Sequence, residues 1–242
     1  MAYLKDSLVP AALYNSLPHI NEVSDVPEKY SKDLEDLRAL LSKHNLPKGV
    51  FIRLIHKHYD LKEGESMAFS KVDVPLQGTV TVMHPTNPSE TSKLRGVHFF
   101  VDEQGCLQAY EYSTTEGPNI SNYRSFLEEF CRIVSERGLQ MKYGLKLQVD
   151  PDEHGWTEFE FPSKRSTIMI PEGMPIPDGK YDLNVVTEWG FLPTKRDCYH
   201  CGHICWHCVH VDSHETGVYL GAQKVEPGTP IWGIVNAVIA VC

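Results

Sequence analysis

The sequence predicts an α+β fold with a largely antiparallel β-sheet or barrel-like core, two amphipathic helices and a Cys/His-rich C-terminal segment. Strand-like segments outnumber helical ones and follow one another without the regular β–α alternation of a parallel sheet. Apolar residues form 41% and charged residues 23% of the 242 residues, which is ordinary for a soluble globular chain. No linker divides the chain, so we expect one domain over residues 1–242, with 197–215 as a metal-binding loop or strand segment.

Two segments have apolar residues at helical spacing. In the first, residues 27–47, Leu34, Leu37 and Leu41 share one face and Pro27 suits the first turn. The second, residues 121–138, carries a broad apolar stripe and ends at Gly138, a natural C-cap. Both are predicted to lie on the sheet with their apolar faces.

Strands are predicted where short runs of β-branched and aromatic residues stand between Gly, Pro and Asp. The residues DEQG at 102–105 predict a hairpin between two of them. The segment after Thr229 is ambiguous, because Thr229-Pro230 favours a helix start whereas Gly233 and the Val/Ile content favour a strand. The predicted strands lie within residues 49–61, 66–72, 78–84, 96–102, 106–113, 143–149, 156–162, 166–171 and 183–191.

The distribution of charge and the two ends of the sequence restrict which partners and which cellular location are expected. A formal net charge of −9, spread along the chain, argues against a nucleic-acid partner, which normally requires clustered Lys and Arg. We see no secretory signal, and the apolar run at 230–242 is too short to span a bilayer. A cytoplasmic location and a protein or small-molecule partner are therefore expected, and in that reducing environment clustered cysteines indicate metal binding or catalysis.

Residues 197–215 contain the densest group of metal-ligating side chains. Cys198 and Cys201 form a C-x-x-C pair, whose short turn brings both sulfurs within reach of one ion. Zinc is the predicted ion because it accepts mixed thiolate and imidazole ligands. More ligands are present than one tetrahedral ion requires, so the sequence does not choose the set. The candidates are Cys198, Cys201, Cys205, Cys208, His210 and His214.

The residues CYHCG, from Cys198 to Gly202, resemble the knuckle half of a zinc ribbon. The order of Cys198, Cys201, His210 and His214 is similar to that of zinc-finger ligands, with a shorter loop. Either resemblance implies a closed, structural zinc site. The surplus of histidines leaves open a catalytic site with three protein ligands and water.

A second candidate site lies in HKHYDLKE, residues 56–63. In a strand, His56 and His58 point the same way and extend the apolar face of Val50, Ile52 and Leu54, with Arg53 on the opposite face. The spacing of His56, His58 and Glu63 resembles the first metal motif of cupins, which implies these three as ligands. The histidine of the second cupin motif is absent. As alternatives, the two histidines are hydrogen-bonded at the edge of the core, or they share the ion of the C-terminal cluster.

Two classes of function follow from these sites. In the first, a structural zinc orders a binding surface. In the second, the protein is a metal-dependent enzyme of the hydrolase, lyase or oxygenase type that acts on a small molecule, and the sequence does not decide whether the chain is an enzyme. The catalytic candidates are His56, His58, Glu63 and Glu188. Tyr110, Glu111 and Tyr112 are candidates for the lining of a pocket.

Overall fold

A computed structural model describes residues 4–74, 78–88, 93–148, 156–161, 164–171, 183–190, 202–207, 211–214, 217–220, 223–224 and 228–241. The predicted zinc ligands Cys198, Cys201, Cys208 and His210 lie outside these ranges. For Cys205 and His214 the backbone alone is described. The predicted zinc site of residues 197–215 therefore stays a prediction.

Five α-helices occur in the described ranges, and α3 and α4 carry the two predicted apolar stripes, but the segment predicted as the first helix divides at Tyr30 into α2 and α3. Helix α3 is followed by Asn45 at φ 49° and α4 by Gly138 at φ 64°, both in the left-handed conformation that ends helices. The C-terminal segment is a helix, α5, but no helix of the described ranges is long and apolar enough to cross a membrane. The helices are α1 (Ala11–Asn15), α2 (Val26–Lys29), α3 (Ser31–Lys43), α4 (Arg124–Glu136) and α5 (Pro230–Val241).

Fourteen strands occur in the same ranges, and the predicted hairpin joins β5 to β6 through Gly105 at φ 71°. The strands are β1 (Leu4–Lys5), β2 (Val50–Leu54), β3 (Ser66–Val74), β4 (Gly78–Thr86), β5 (Arg95–Val101), β6 (Leu107–Ser113), β7 (Tyr143–Leu147), β8 (Trp156–Phe161), β9 (Ser166–Pro171), β10 (Leu183–Trp189), β11 (Gly202–His207), β12 (Val211–His214), β13 (Gly217–Leu220) and β14 (Gln223–Lys224).

Strands β1 to β11 form one strongly curled sheet with the shape of a half-barrel, in the order β1-β6-β3-β4-β9-β8-β11-β10-β2-β7-β5. Strand β5 also pairs with β6, which links the end of this order back to its second strand. Strands β1 and β3 run parallel to β6, and β8 runs parallel to β11. The other described pairings are antiparallel, which confirms the largely antiparallel sheet. Strands β12 to β14 form a separate small sheet.

Helices α3 and α4 cover the outer face of the sheet at β2, β5 and β7. The residues that alternate along β2 and β7 on this side are buried against them. Because side chains alternate across a strand, Arg53 of β2 and Lys146 of β7 face the inner side of the curled sheet, where both are 1% exposed. The outer core contains Leu37, Leu41, Val50, Ile52, Leu54, Phe126, Phe130, Tyr143, Leu145 and Leu147.

Candidate metal centre

The inner side of the sheet holds a buried cluster of ionisable side chains, which six strands and the segment after β2 contribute. Burying a charged group is costly unless it is paired, so the charges of such a cluster must be paired with one another. Each of these residues has at most 5% of its surface exposed. The cluster consists of Arg53, His56, His58, His98, Glu111, Lys146, Glu158, Glu160 and Glu188.

His56, His58 and Glu158 form a group that can hold a metal ion. Their ligand atoms all lie within 4.8 Å of one another, and all three side chains are buried. The two imidazole rings are 4.9 Å apart and nearly perpendicular. His58 Nε2 lies 3.2 Å from Glu158 Oε1. Two imidazoles and one carboxylate are a common ligand set for zinc and for iron(II).

Each imidazole of the group is held through its Nδ1 atom by a neighbouring oxygen. His56 Nδ1 lies 2.8 Å from the carbonyl oxygen of Leu54, and His58 Nδ1 lies 2.8 Å from Glu160 Oε1. With an Nδ1–H donor in each bond, the atom of each ring that would bind an ion is Nε2, which lies 3.3 Å from Arg53 Nη2 in His56 and 3.2 Å from Glu158 Oε1 in His58. Second-shell oxygens hold metal-binding histidines in this way, and a carboxylate partner also raises their basicity.

Burial keeps His56 neutral. Desolvation lowers the pKa of His56 well below 6.5, and the nearby Arg53 guanidinium lowers it further. A neutral imidazole is the form that binds a metal, so His56 requires no deprotonation near neutral pH.

Glu188 compensates the two buried cations. Its Oε1 accepts a bond of 2.6 Å from Arg53 Nη1, and its Oε2 accepts one of 2.7 Å from Lys146 Nζ. The pairing of β10 with β11 shifts register between Val186 and Glu188. Such bulges re-aim side chains, and here the bulge lies directly before the residue that binds both cations.

His98 and Glu111 form a buried pair across β5 and β6, at a second irregularity in register. His98 Nδ1 is hydrogen-bonded to Glu111 Oε2, and the Tyr14 hydroxyl donates to Glu111 Oε1 at 3.2 Å. Burial raises the pKa of Glu111 to about 7, an effect that Arg53 opposes. Burial also lowers the pKa of His98 well below 6.5, so this ring is neutral.

The raised pKa of Glu111 predicts a pH-dependent stability that Glu111→Gln removes. Between pH 4.5 and about pH 7, Glu111 keeps its proton in the folded state but loses it in the unfolded state. The resulting stabilisation of the folded state is complete below pH 4.5 and is lost as the pH rises through about 7. Between about pH 5 and pH 8 we expect the variant to gain on the order of 2–3 kcal/mol in unfolding free energy relative to the native chain. Urea unfolding at both pH values measures this difference.

The control for this measurement is Glu65→Gln. Glu65 accepts two hydrogen bonds from Arg165, which lower its pKa below 4.5, so its titration is complete before the measured range begins. Its unfolding free energy should run parallel to that of the native chain. A parallel profile for Glu111→Gln as well would contradict an ionisable Glu111 in the interior.

The structure brings together only part of the predicted second site. His56 and His58 lie in the ligand group, but Glu63 is exposed in a turn, and Glu158 supplies the carboxylate. The prediction that both histidines continue the Val50 face is wrong. Strand β2 ends at Leu54, so the alternation stops there, and His56 Nε2 lies 3.3 Å from Arg53 Nη2 on the inner side.

Two other candidates from the sequence lie in the same interior cluster. Glu188 binds Arg53 and Lys146, and Glu111 binds His98. Tyr110 and Tyr112 are buried at 1% and 0% exposure, and Tyr112 packs in the outer core. A catalytic role for Glu63 or Glu188 stays a prediction.

Glu158 and Glu160 were missed, although the sequence carries a signal for them. In WTEFEFP, from Trp156 to Pro162, the two glutamates alternate with aromatic residues and thus share one face of a strand. Such a pattern is usually that of a solvent-exposed face. The structure places this face inside the curled sheet, beside His58.

A surface groove of about 1110 Å³ approaches the centre from the side of α1 and α2. His58 is among its lining residues, together with Lys29, Lys57, Tyr59 and Met141. Its rim carries both charge signs, so the groove itself selects no charge. The ligand group is therefore close to a surface that a small molecule can reach.

Comparison of the chain with family models, with curated proteins and with solved structures finds no match. The interpretation of the centre consequently depends on its own geometry and chemistry.

Proposed function

We propose that this protein binds one divalent transition-metal ion through His56 Nε2, His58 Nε2 and Glu158, and that the ion serves a reaction on a small molecule. The observation that carries the proposal is that ligand atoms of His56, His58 and Glu158 all lie within 4.8 Å of one another, while an oxygen at Nδ1 holds each ring. Three protein ligands leave at least one coordination position for water or substrate, which is typical of catalytic rather than structural sites.

The charge of the interior supports a divalent cation. Among the described buried side chains, Arg53 and Lys146 carry fixed positive charges. Four carboxylates of the described residues face them, which is two more than these two cations if all four are ionised, and one more if Glu111 is protonated. A divalent ion bound by His56 and His58 would offset this excess where water cannot. The carboxylates are Glu111, Glu158, Glu160 and Glu188.

An ion in this position would act as a Lewis acid and lower the pKa of bound water. His56, His58 and Glu158 hold it, while Glu160 and the Leu54 carbonyl orient the two rings. Zinc and iron(II) both suit two nitrogens and one oxygen, and zinc remains the ion that we favour. The proposal keeps a cytosolic location, where the thiols of the C-terminal segment stay reduced.

A structural zinc site in residues 197–215 is the second candidate function. One observation favours it: backbone register pairs Cys205 of β11 with Glu158 of β8 and with Val185 of β10. The cysteine-rich segment thus adjoins the strand that carries the carboxylate ligand. Its zinc would order a binding surface, either as an ion of its own or as an ion shared with His56 and His58.

Metal content by elemental mass spectrometry tests both candidates on untagged protein purified without chelators. We compare the native chain with His56→Ala/His58→Ala and with Cys198→Ser/Cys201→Ser. About one ion per chain, lost in the histidine variant and kept in the cysteine variant, is the expected result. The reverse outcome supports the structural zinc, and loss in both variants supports a shared ion. Native protein without metal would reject both candidates.

A further inference from the structure

Arg53 donates a hydrogen bond to one of the proposed metal ligands. Its Nη2 atom lies 3.3 Å from His56 Nε2, and both residues are at most 1% exposed. The other ring nitrogen, His56 Nδ1, carries a hydrogen because the Leu54 carbonyl at 2.8 Å can only accept. A guanidinium can only donate, so Nε2 is the acceptor and its lone pair points to Arg53.

That lone pair is the one through which His56 would bind an ion. Zinc lies about 2.0–2.1 Å from the imidazole nitrogen that binds it. An ion at this distance and an N–H donor cannot use one lone pair at the same time. The guanidinium of Arg53 must therefore withdraw from His56 before the ion can bind there.

Other contacts hold Arg53 beside the ligand group. Its Nη1 atom donates to Glu188 at 2.6 Å, and the Tyr110 hydroxyl is a further hydrogen-bonding partner of the guanidinium. Burial lowers the pKa of Arg53, but Glu188, Tyr110 and Glu158 together raise it by more, so the side chain stays charged. Arg53 thus cannot leave His56 by losing a proton, and only a movement of its side chain frees the imidazole.

We propose that Arg53 competes with the metal ion for His56 Nε2, and that this competition sets the affinity of the centre. The inference rests on the proposed metal site. Arg53 acts through His56 and is a positioning residue rather than a ligand. Every ion has to break the same hydrogen bond, so Arg53 lowers the affinities for different divalent ions by one common factor.

The test compares zinc and cobalt(II) affinities of the native full chain, Arg53→Met and Lys146→Met, all stripped of metal with a chelator. Lys146→Met is the charge-matched control, because Lys146 is a buried cation that binds the other oxygen of Glu188. We expect Arg53→Met to raise both affinities by a common factor, roughly tenfold or more above Lys146→Met, since a hydrogen bond from a charged donor no longer has to be broken.

A purely structural role of Arg53 gives the opposite sign. Loss of a residue that only braces the ligands would loosen the site and lower both affinities. Unchanged or lower affinities in Arg53→Met would refute the inference. A rise no larger than that of Lys146→Met would refute it as well, because charge alone would then explain the effect.

Nitrogen NMR of the metal-free chain detects the contact itself. The ¹⁵N resonance of His56 Nε2 depends on the hydrogen bond that this atom accepts. Arg53→Lys keeps a positive charge beside Glu188 but replaces the planar fork by a single ammonium, so it also serves if Arg53→Met does not fold. We expect a shift of the resonance in Arg53→Lys that exceeds the shift in Lys146→Met. A resonance that does not respond to substitution of Arg53 would overturn the inference.

The outcome for the ion itself is separate. Zinc bound by the native chain without any rise of affinity in Arg53→Met would reject the inference alone. Zinc bound by neither chain would reject the proposed function, and this inference with it. Zinc bound by Arg53→Met but not by the native chain would support the competition and reject the proposed function of the native protein.

Discussion

Replacing Glu188 by alanine is expected to lower the free energy of unfolding by about 3–5 kcal/mol, the cost of breaking a buried ion pair by removing one of its members. Glu188 is the carboxylate that binds both Arg53 and Lys146, each of which is 1% exposed. After the substitution, two cations would face a medium that solvates them poorly. Urea unfolding of the native chain and the variant at one pH measures the loss.

The half-buried pair of Glu65 and Arg165 provides the matched control. It has a similar length, 2.7 Å, but its side chains are 22% and 33% exposed. Glu65→Ala should therefore cost at most about 1 kcal/mol, because water solvates the remaining Arg165. The double variant Glu188→Ala/Lys146→Met should recover part of the loss, since one of the two cations that Glu188 binds is then removed as well. Equal losses in Glu188→Ala and Glu65→Ala would contradict a desolvated interior network.

Helices α3 and α4 and the β5–β6 hairpin could be predicted because their signals are local. Apolar spacing within one helix and Gly105 in one turn determine each of them without reference to the rest of the chain. Helix α5 could not be predicted because nearly all of its residues are apolar. Neither the helical nor the strand spacing of apolar residues can then be recognised. Its Val and Ile residues favour a strand locally, but the chain forms a helix there.

The candidate site could be predicted only where its residues are neighbours in sequence. His56 and His58 are two positions apart, so their common chemistry is visible at once. Glu158 follows about a hundred residues later, on β8, from which β11 and β10 separate β2 in the sheet. No local pattern encodes that order of strands.

Alternation along a strand identifies which residues share a face, but it does not say which face is buried. Arg53 alternates with Val50, Ile52 and Leu54 as an outward-facing residue would, and Glu158 stands between Thr157 and Phe159 in the same way. In a flat sheet covered by helices on one side, both would meet solvent. Here the sheet curls, and the second face closes around its own charged residues, where both are 1% exposed. The curl is a property of the whole sheet, so it cannot be predicted from the sequence of any single strand.

The ligand set predicted from sequence and the set found in the structure differ by one carboxylate, and substitution can decide between them. We expect Glu158→Gln to lower zinc affinity by at least about a hundredfold, because a direct anionic ligand is lost. Glu160→Gln should lower it by about 10–100-fold, because the His58 ring loses the carboxylate at its Nδ1. Competition with a fluorescent zinc indicator measures all affinities under one set of conditions.

Glu63→Gln is the control that gives this series its meaning. Glu63 is close to His58 in sequence and completes the cupin-like spacing, yet it is exposed in a turn away from the ligand group. Its substitution should leave zinc affinity unchanged. If Glu63→Gln lost the ion while Glu158→Gln kept it, the sequence-based set would be right and the interior centre wrong. If all three variants bound zinc like the native chain, the interior carboxylates would serve only Arg53, Lys146 and the histidines as counter-charges, and the ion would have to be sought in residues 197–215.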